Sequence, residues 1–517
     1  MLRFLALTLA LLTLVRWSLG SILEITPHEA YLYQLAKHFT WVGCDGGGIP
    51  AMLASGAIWQ ENSAFALRFA APLGSAIGSI ILFLLIQQLA TERTAAWSVV
   101  ILNILPGFNL GAVLLQPAWI SAYFALGGIK LLWTGMHRAN KWDWRWPVSG
   151  LLWGLALLSH WAALSLPFSL MFLFGASRRW RKRVLRPGPW LLLSVWFLAG
   201  LLPLILWDHE HGGAMMDLFL QEMGWSEATW FGLNTVWTVL LQSVVAFSPL
   251  MLAAAGIALA RIIKVRPRED ASFFLLAFTL PTFAMVLLLS IFGLGKSTLL
   301  IPTILPLCGL LAMVWQPRSA LRDRQSLWQW IAIGTSAFMS LLLLHTDLLR
   351  RARLVHEYTW DVTRHWHGWQ DTAMEAARIV RDMNASTPDL VFLVAESPTL
   401  AAELDYYLPA DLPLLSPRPN WPRVQVMESP VPTSQFSFWP RYDEDSSLEG
   451  DDPISAPVLG KTALFFTDVT NRIGPPAIIE ASFREVSPLM VYEIRRNGAI
   501  IRRIKVFACQ DYRGTPL

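Results

Sequence analysis

Apolar stretches of about 20 residues, the length a helix needs to cross a bilayer, recur along the first two thirds of this chain. Eleven precede residue 348, at roughly 2–20, 71–90, 96–115, 117–135, 147–159, 160–175, 190–207, 236–260, 272–292, 298–315 and 327–347. The fifth and sixth form one long apolar run with Ser159-His160 as the turn between them. After residue 347 the pattern changes. Thr372 to Met383 reads as an amphipathic helix, with Thr372 and Glu375 at capping-box spacing. Val391-Phe-Leu-Val394 is a short buried-strand pattern, followed by a helical stretch from Thr399 to Tyr407. Leu464 to Phe466, Met490 to Ile494 and Ile500 to Phe507 read as further strands, and Asn497-Gly498 is a hairpin turn signal. Residues 408–455, rich in Pro, Ser and Asp, read mostly as loop.

The positive charges orient these helices, because cytoplasmic loops carry an excess of Lys and Arg. With Met1 inside, the inside loops hold Arg93; Arg138, Lys141 and Arg145; Arg178, Arg179, Arg181, Lys182, Arg183 and Arg186; Arg261, Lys264, Arg266 and Arg268; and Arg318, Arg322 and Arg324. The outside loops before residue 348 hold Lys37, Arg68 and Lys296. Every strongly basic loop thus falls on one side. The first stretch also has features of a cleaved signal peptide (Arg3, the apolar run Leu5 to Leu14, small residues near Ser18 and Gly20), and its removal leaves the parity of the other helices unchanged. Three outside segments are too long for simple turns: 22–70, 208–235 and everything after 347. They contain His28, His38, His209, His211, His356, His365 and His367, so chemistry is expected on this face.

Composition excludes several classes. The 517 residues are 54% hydrophobic and only 15% charged, with a mean hydropathy of +0.44. Soluble domains carry roughly 25% charged residues, so a soluble enzyme, a disordered chain and a disulfide scaffold are all ruled out. Cys44, Cys308 and Cys509 show no metal-ligand spacing. A net charge of +4 gives no reason to expect nucleic acid.

The first outside segment opens Thr26-Pro27-His28-Glu29-Ala30-Tyr31, a helix start with Thr26 as N-cap, Pro27 at the first position and Glu29 completing a capping box. Leu32, Leu35 and Phe39 then make an apolar stripe, which predicts a helix lying on the membrane surface. Gly43-Cys44-Asp45-Gly46-Gly47-Gly48 and Leu67-Arg68 follow. Together these resemble the glycosyltransferase family 39 membrane enzymes, relatives of protein O-mannosyltransferases and lipid A aminoarabinose transferases. Members begin with one helix, an Asp-Glu-Ala-Tyr-type motif, a Gly-Tyr-x-Asp-x-Pro-Pro stretch and a Leu-Arg. Further matches are Gly154 to His160, where the family usually ends on Lys, Pro203 to Gly212, Lys296 with Leu300 to Pro306, Ser434 to Pro440, and Leu459-Gly460-Lys461. The resemblance implies a polytopic α-helical GT-C architecture over 1–347 and a small extracytoplasmic α/β domain over 348–517. It also implies a polyprenyl-phosphate-linked sugar donor and an extracytoplasmic glycan, lipid or protein acceptor, in a plasma membrane. Three departures stand out. His28 replaces the presumed catalytic acid, Ala118 stands where a second acid follows a proline, and glycines replace the paired prolines after Asp45.

Such a site needs a base for the acceptor proton and cations for the leaving phosphate. His28, Glu29 and Asp45 are the candidate bases, an imidazole being partly neutral near pH 7. Arg68, Lys296, His209 and His211 are the candidate phosphate contacts. Each has a plainer reading: Glu29 as a cap, Asp45 as a turn former, Lys296 snorkelling to the interface, His209 and His211 in a polar loop with Glu210, and Arg364 to Trp369 as an interfacial belt. No cofactor is assigned; the alternative is a divalent metal held by His28, His209 and His211, whose spacing is a weak signal. The leading reading is a transferase. Its rivals are a relative that binds a lipid carrier or partner protein without transfer, and a transporter, against which stands the scarcity of intramembrane charge.

Overall fold

The computed structural model describes residues 2–514 except 61–62, 138–142, 177–186, 226–232, 265–269, 316–323, 345–363, 387–388, 416–421, 428, 430, 443–457, 470–471, 473 and 497–498. Most of the basic loop residues used above to orient the helices lie outside the described residues, as does the Asn497-Gly498 turn. Contacts divide the chain into two units. The first is Met1–Ser21, Trp41–Leu53 and Arg68–His345; the second is Ile22–Thr40, Ala54–Leu67 and Thr346–Leu517.

The first unit is helical. Its helices are α1 (Leu2–Ile22), α3 (Ala70–Leu89), α4 (Glu92–Ile104), α5 (Pro106–Val113), α6 (Pro117–Met136), α7 (Arg145–Leu157), α8 (Ser165–Ala176), α9 (Pro187–Glu210), α10 (Ala214–Glu222), α11 (Leu233–Phe247), α12 (Pro249–Lys264), α13 (Asp270–Ala277), α14 (Leu280–Ile291), α15 (Ile301–Val314) and α16 (Arg324–Leu344). A short antiparallel hairpin, β1 (Val42–Gly43) with β2 (Gly46–Gly47), belongs to the same unit. Each predicted span contains helix, but not always as one rod. Among the described residues six helices are long and apolar enough to cross a membrane, or eight if each bent pair counts as one span. The expected eleven is therefore not reproduced by length and composition.

Proline explains the two sharp breaks. It has no N–H to donate and disfavours helical backbone in the residue before it. The stretch predicted over 96–115 bends by 74° between α4 and α5, where Leu105 is extended (ψ 129°) before Pro106. The stretch predicted over 236–260 bends by 102° between α11 and α12, at Ser248-Pro249, where Ser248 has φ +66°. The run over 147–175 does divide near Ser159-His160. There α7 and α8 are only 13 and 12 residues long and are joined by a 3-10 turn at Trp161–Leu164.

The second unit combines α2 (Pro27–Lys37), α17 (Trp369–Ser386), α18 (Pro398–Tyr407) and α19 (Ala477–Ser482) with a five-stranded sheet. Its strands are β3 (Phe392–Ala395), β4 (Val424–Val426), β5 (Ala463–Thr467), β6 (Phe483–Arg496) and β7 (Ala499–Tyr512), in the order β4-β3-β5-β7-β6. β3 runs parallel to β4 and β5, while β5–β7 and β7–β6 are antiparallel. A core of Phe392, Phe465, Tyr442, Phe483 and Tyr512 fills one layer. Three expectations are corrected. β4 falls within the region read as loop. β6 and β7 are each 14 residues long, because backbone pairing carries the hairpin past its apolar centre into Arg, Glu and Ser. Thr372 is not a helix cap. α17 begins one turn earlier, and Thr372 Oγ1 donates back to Gly368 O at 2.6 Å.

The role of a cap for α17 is taken by Glu24, whose Oε2 accepts from the N–H groups of Gly368 (2.6 Å) and Trp369 (3.3 Å). An anion at a helix N-terminus is favoured by the orphan amides there. Burial pushes the Glu24 carboxyl above its usual range, partly offset by those two N–H groups and by Arg496. Of the apolar stripe expected on α2, Leu32 is buried, Leu35 half-buried and Phe39 exposed. Tyr33 and Gln34 are buried against α18, where Gln34 Nε2 donates to Asp405 Oδ2 at 2.7 Å and Tyr33 meets Tyr406 edge-on at 5.0 Å.

Candidate functional site

The candidate bases divide between the two units. His28 occupies the first turn of α2 with its side chain exposed, while Glu29 is 1% exposed. The capping box read from the sequence is present. Thr26 N and Thr26 Oγ1 both donate to Glu29 Oε2, at 3.1 and 3.0 Å, and Glu29 N donates to Thr26 Oγ1 at 3.4 Å. The neighbouring Tyr31 hydroxyl accepts from Gln435 N at 2.9 Å, and its ring stacks on Phe436. His38, at the end of α2, meets Trp439 at 5.0 Å. Burial, then the charge of Lys37, pushes its imidazole down to about 4, with Asp405 opposing. The Ser434–Pro440 segment is thus built around α2.

In the first unit, Asp45 is exposed at the tip of the β1–β2 hairpin, and Cys44 Sγ lies 3.5 Å from its Oδ2. The glycines that follow have a physical reason. Gly46 has φ +115°, which only glycine adopts without strain. A Cβ on Gly47 would stand 2.2 Å from Leu158 O, so this strand lies flat on the α7–α8 turn. Trp161 in that turn faces Gly46 and packs against Phe219 of α10 at 5.0 Å. Ala162 shares an apolar cluster with Leu299 and Leu300, in the turn that follows Lys296. The Trp161 turn therefore gathers the Asp45 hairpin, the Lys296 turn and the helix after His209 and His211 around one point.

His160 opens this turn and was not among the residues singled out for chemistry. Its Nδ1 accepts from Ala162 N at 3.0 Å, so in the neutral ring the proton sits on Nε2. The cue available in the sequence was its place at the end of Gly154–His160, where the family usually has Lys. Lys296 is half-buried at the start of the Ser297–Leu300 turn, and the adjacent Ser297 Oγ donates to Gln242 Oε1 at 2.6 Å. His209 and His211 are exposed at the end of α9. His211 stacks on Trp207 at 4.0 Å and shares its Nδ1 proton with Trp207 O at 2.8 Å. Asp208 Oδ1 accepts from Met215 N and Met216 N, which fixes the corner into α10.

Arg68 is 1% exposed and donates from Nη1 to Gly20 O at 2.7 Å, in the last turns of α1. A second buried guanidinium lies one turn back on the same helix. Arg16, 3% exposed, donates to Ser75 Oγ (3.1 Å), Asn103 Oδ1 (2.9 Å) and Asn109 Oδ1 (2.8 Å), and lies over the Phe108 ring. This residue was overlooked in the sequence, and it is an intramembrane charge of the kind the argument against a transporter found scarce. Ala118, at the position of the second missing acid, is buried at the start of α6. Among the described residues no group of three or more His, Cys, Asp or Glu side chains has a geometry that could hold a metal ion.

Residues 49–207 match a protein-family model described as dolichyl-phosphate-mannose-protein mannosyltransferase. Among solved structures, the chain is similar to ArnT from Cupriavidus metallidurans bound to undecaprenyl phosphate, with a TM-score of 0.60 and 14% identity over 97% of each chain. The apo state of that protein gives a TM-score of 0.58 and 15% identity over the same shares. An oligosaccharyltransferase from Archaeoglobus fulgidus gives 0.48 and 13%, covering 88% of this chain and 67% of that one. A search of curated proteins finds no sequence match. The chain is thus a multi-pass membrane protein with the GT-C glycosyltransferase fold, and its residues 49–207 match the dolichyl-phosphate-mannose-protein mannosyltransferase family.

Proposed function

We propose that this protein is a membrane glycosyltransferase that moves a sugar from a polyprenyl-phosphate-linked donor to an extracytoplasmic acceptor hydroxyl. The observation that carries the reading is the fold shared over 97% of both chains with an ArnT whose structure holds undecaprenyl phosphate. In this reading the N-terminus is cytoplasmic and the second unit extracytoplasmic. His28 takes the acceptor proton, the acceptor oxygen attacks the anomeric carbon, and the carrier phosphate leaves with the bonding electrons. Cations at Arg68 and Lys296 offset the charge on that phosphate, with His209 and His211 as further contacts.

A second reading has its own support. His28 and Ala118 stand where the resemblance places acids, and the Glu29 carboxylate is engaged by Thr26. On that reading the chain holds a lipid carrier or a partner protein without transferring sugar. Purified protein incubated with labelled polyprenyl-phosphate sugars and envelope extracts separates the two. In the transferase, His28→Ala lowers turnover by about 10²–10⁴-fold with carrier binding intact, the range for a lost general base, and His28→Asp preserves transfer. If wild type never transfers and His28→Asp creates activity, the binding reading stands.

A further inference from the structure

The second unit contains a small cleft outside the candidate site. It lies between β4, the edge strand of the sheet, and the segment that follows Ser434. Its walls include Met427, Phe436 and Trp439, and its polar members are Gln425, Ser437 and Arg441. Ser434 makes the fold-back that brings these together, because its Oγ accepts from Phe436 N at 3.3 Å and starts the Gln435–Phe438 turn. The two rings are fixed by α2. Phe436 stacks on Tyr31 at 5.9 Å and Trp439 meets His38 at 5.0 Å, which leaves them only 5% and 4% exposed. The walls are therefore set by packing and stand ready without a ligand.

The polar groups of the cleft are only partly spent. Gln425 Nε2 donates to Pro422 O at 2.7 Å, and its Oε1 remains as an acceptor. Ser437 Oγ accepts from Thr433 N at 3.2 Å, and its O–H remains as a donor. The Arg441 guanidinium adds further N–H donors to the same lining. This mixture selects among ligands. A carboxylate or phosphate has no proton to give Gln425 Oε1. An ammonium group is repelled by Arg441. An apolar side chain leaves all three polar groups unanswered, at the cost of burying them without partners. A hydroxyl both donates and accepts, and a sugar ring carries several of them around an apolar C–H skeleton.

We infer that this cleft is a sugar-binding subsite, taking one hydroxyl-bearing edge of a glycan, with Gln425, Ser437 and Arg441 as polar contacts and Phe436 and Trp439 as walls. Its role rests on the proposed transfer, in which the glycan seated there is the acceptor. Tyr31, the residue stacked on Phe436, follows His28 by three positions on α2, about 4.5 Å along the axis and on the neighbouring turn of one face. A glycan held in the cleft thus lies beside the helix that carries the proposed base. The competing account is a packing crevice that holds only water.

Full-length protein in detergent is titrated with three free disaccharides, one of neutral hexoses, one of N-acetylhexosamines and one containing a uronic acid, and binding is read by saturation transfer from protein to sugar protons. We expect at least one to bind. Ser437→Ala should weaken it by about three- to tenfold, the loss of one hydrogen bond, and Arg441→Ala at least as much, while Ser437→Thr keeps the hydroxyl and the affinity. Ser437 is half-buried, so its variants test the cleft even if Arg441→Ala fails to fold. Binding by none of the three sugars, or equal binding in wild type and Ser437→Ala, would overturn the inference. No donor enters this assay, so it separates from the proposed transfer. Sugar binding in a protein that never transfers sinks the transferase and keeps the cleft, and transfer by a protein that binds none of the sugars does the reverse.

Discussion

The crossing of α7 and α9 depends on the absence of two side chains, and adding one methyl group tests the packing directly. Gly154 and Gly200 meet backbone to backbone. A Cβ built on Gly200 would lie 2.3 Å from Gly154 Cα, 2.7 Å from its carbonyl carbon and 2.9 Å from its oxygen. Carbon atoms rest at roughly 3.5–4.0 Å, so Gly200→Ala forces the helices apart by at least about 1.2 Å. On α7, Gly150 stands four residues before Gly154, and a Cβ there would lie 2.2 Å from Leu193 O on α9. This is the small-xxx-small contact by which membrane helices approach closely.

Overpacking of this kind costs about 1–3 kcal/mol, while replacing Gly by Ala inside a helix gains about 1 kcal/mol. Gly334 of α16 and Gly256 of α12 supply the reference, because nothing lies within 4 Å of a Cβ at either. Gly334→Ala and Gly256→Ala should be neutral or stabilising, and Gly200→Ala should fall about 1–3 kcal/mol below them. Unfolding midpoints of the purified protein in one detergent, ranked side by side, read this out. Because α7 leads into the His160–Trp161 turn, Gly200→Ala should also lower any transfer rate. A Gly200→Ala protein as stable as Gly334→Ala would refute the close crossing.

Glu24→Ala strips the acceptor from Gly368 N and Trp369 N, and should cost about 1–3 kcal/mol as a charged group's hydrogen bonds are lost; faster hydrogen exchange at the start of α17 checks it. The His38 imidazole is held down to about 4 against an ordinary 6.5, so between those values the unfolded chain binds the proton that the folded one refuses. Stability of the second unit should therefore fall as pH drops from 6.5 towards 4, and His38→Gln should flatten that slope in unfolding followed by intrinsic fluorescence. Glu29→Ala removes the acceptor that Thr26 N and Oγ1 share, and should cost about 0.5–2 kcal/mol. Glu29→Gln keeps an acceptor there, and a transfer rate that collapses in Glu29→Gln with the midpoint unchanged would restore Glu29 as a base.

The helices were legible because hydropathy over 20 residues needs no tertiary information. The breaks were less so. Pro106 and Pro249 were visible, but Pro203 and Pro306 lie inside helices, so a proline in lipid does not announce whether it bends or merely interrupts. The Thr26–Glu29 cap was read correctly because its partners are three residues apart. The partners of Glu24 and Arg16 lie 344 and 59 or more residues away, so nothing local marks them. Gly150 and Gly154 did carry a readable spacing, which passed unused among many other small residues. The helix of α2 was legible, yet its contacts with α18 are made by Tyr33 and Gln34 and not by the stripe of Leu32, Leu35 and Phe39, of which Phe39 stays exposed.

The candidate bases are constrained by the same physics that made them recognisable. Glu29 is the carboxylate closest in sequence to the missing acid at position 28, but its Oε2 already receives two hydrogen bonds and its burial follows from the cap. Taking a proton would weaken the two bonds that Glu29 accepts at the start of α2. Asp45 has the opposite character. It is exposed at a hairpin tip, on a backbone that Gly46 and Gly47 let lie against the Trp161 turn. The glycines after Asp45 are therefore not a loss of structure, since side chains at Gly46 and Gly47 would strain the backbone or strike Leu158. If the chain transfers sugar as proposed, His28→Ala, Asp45→Asn and Glu29→Gln measured side by side should assign the proton acceptor to whichever loses the rate with its stability intact.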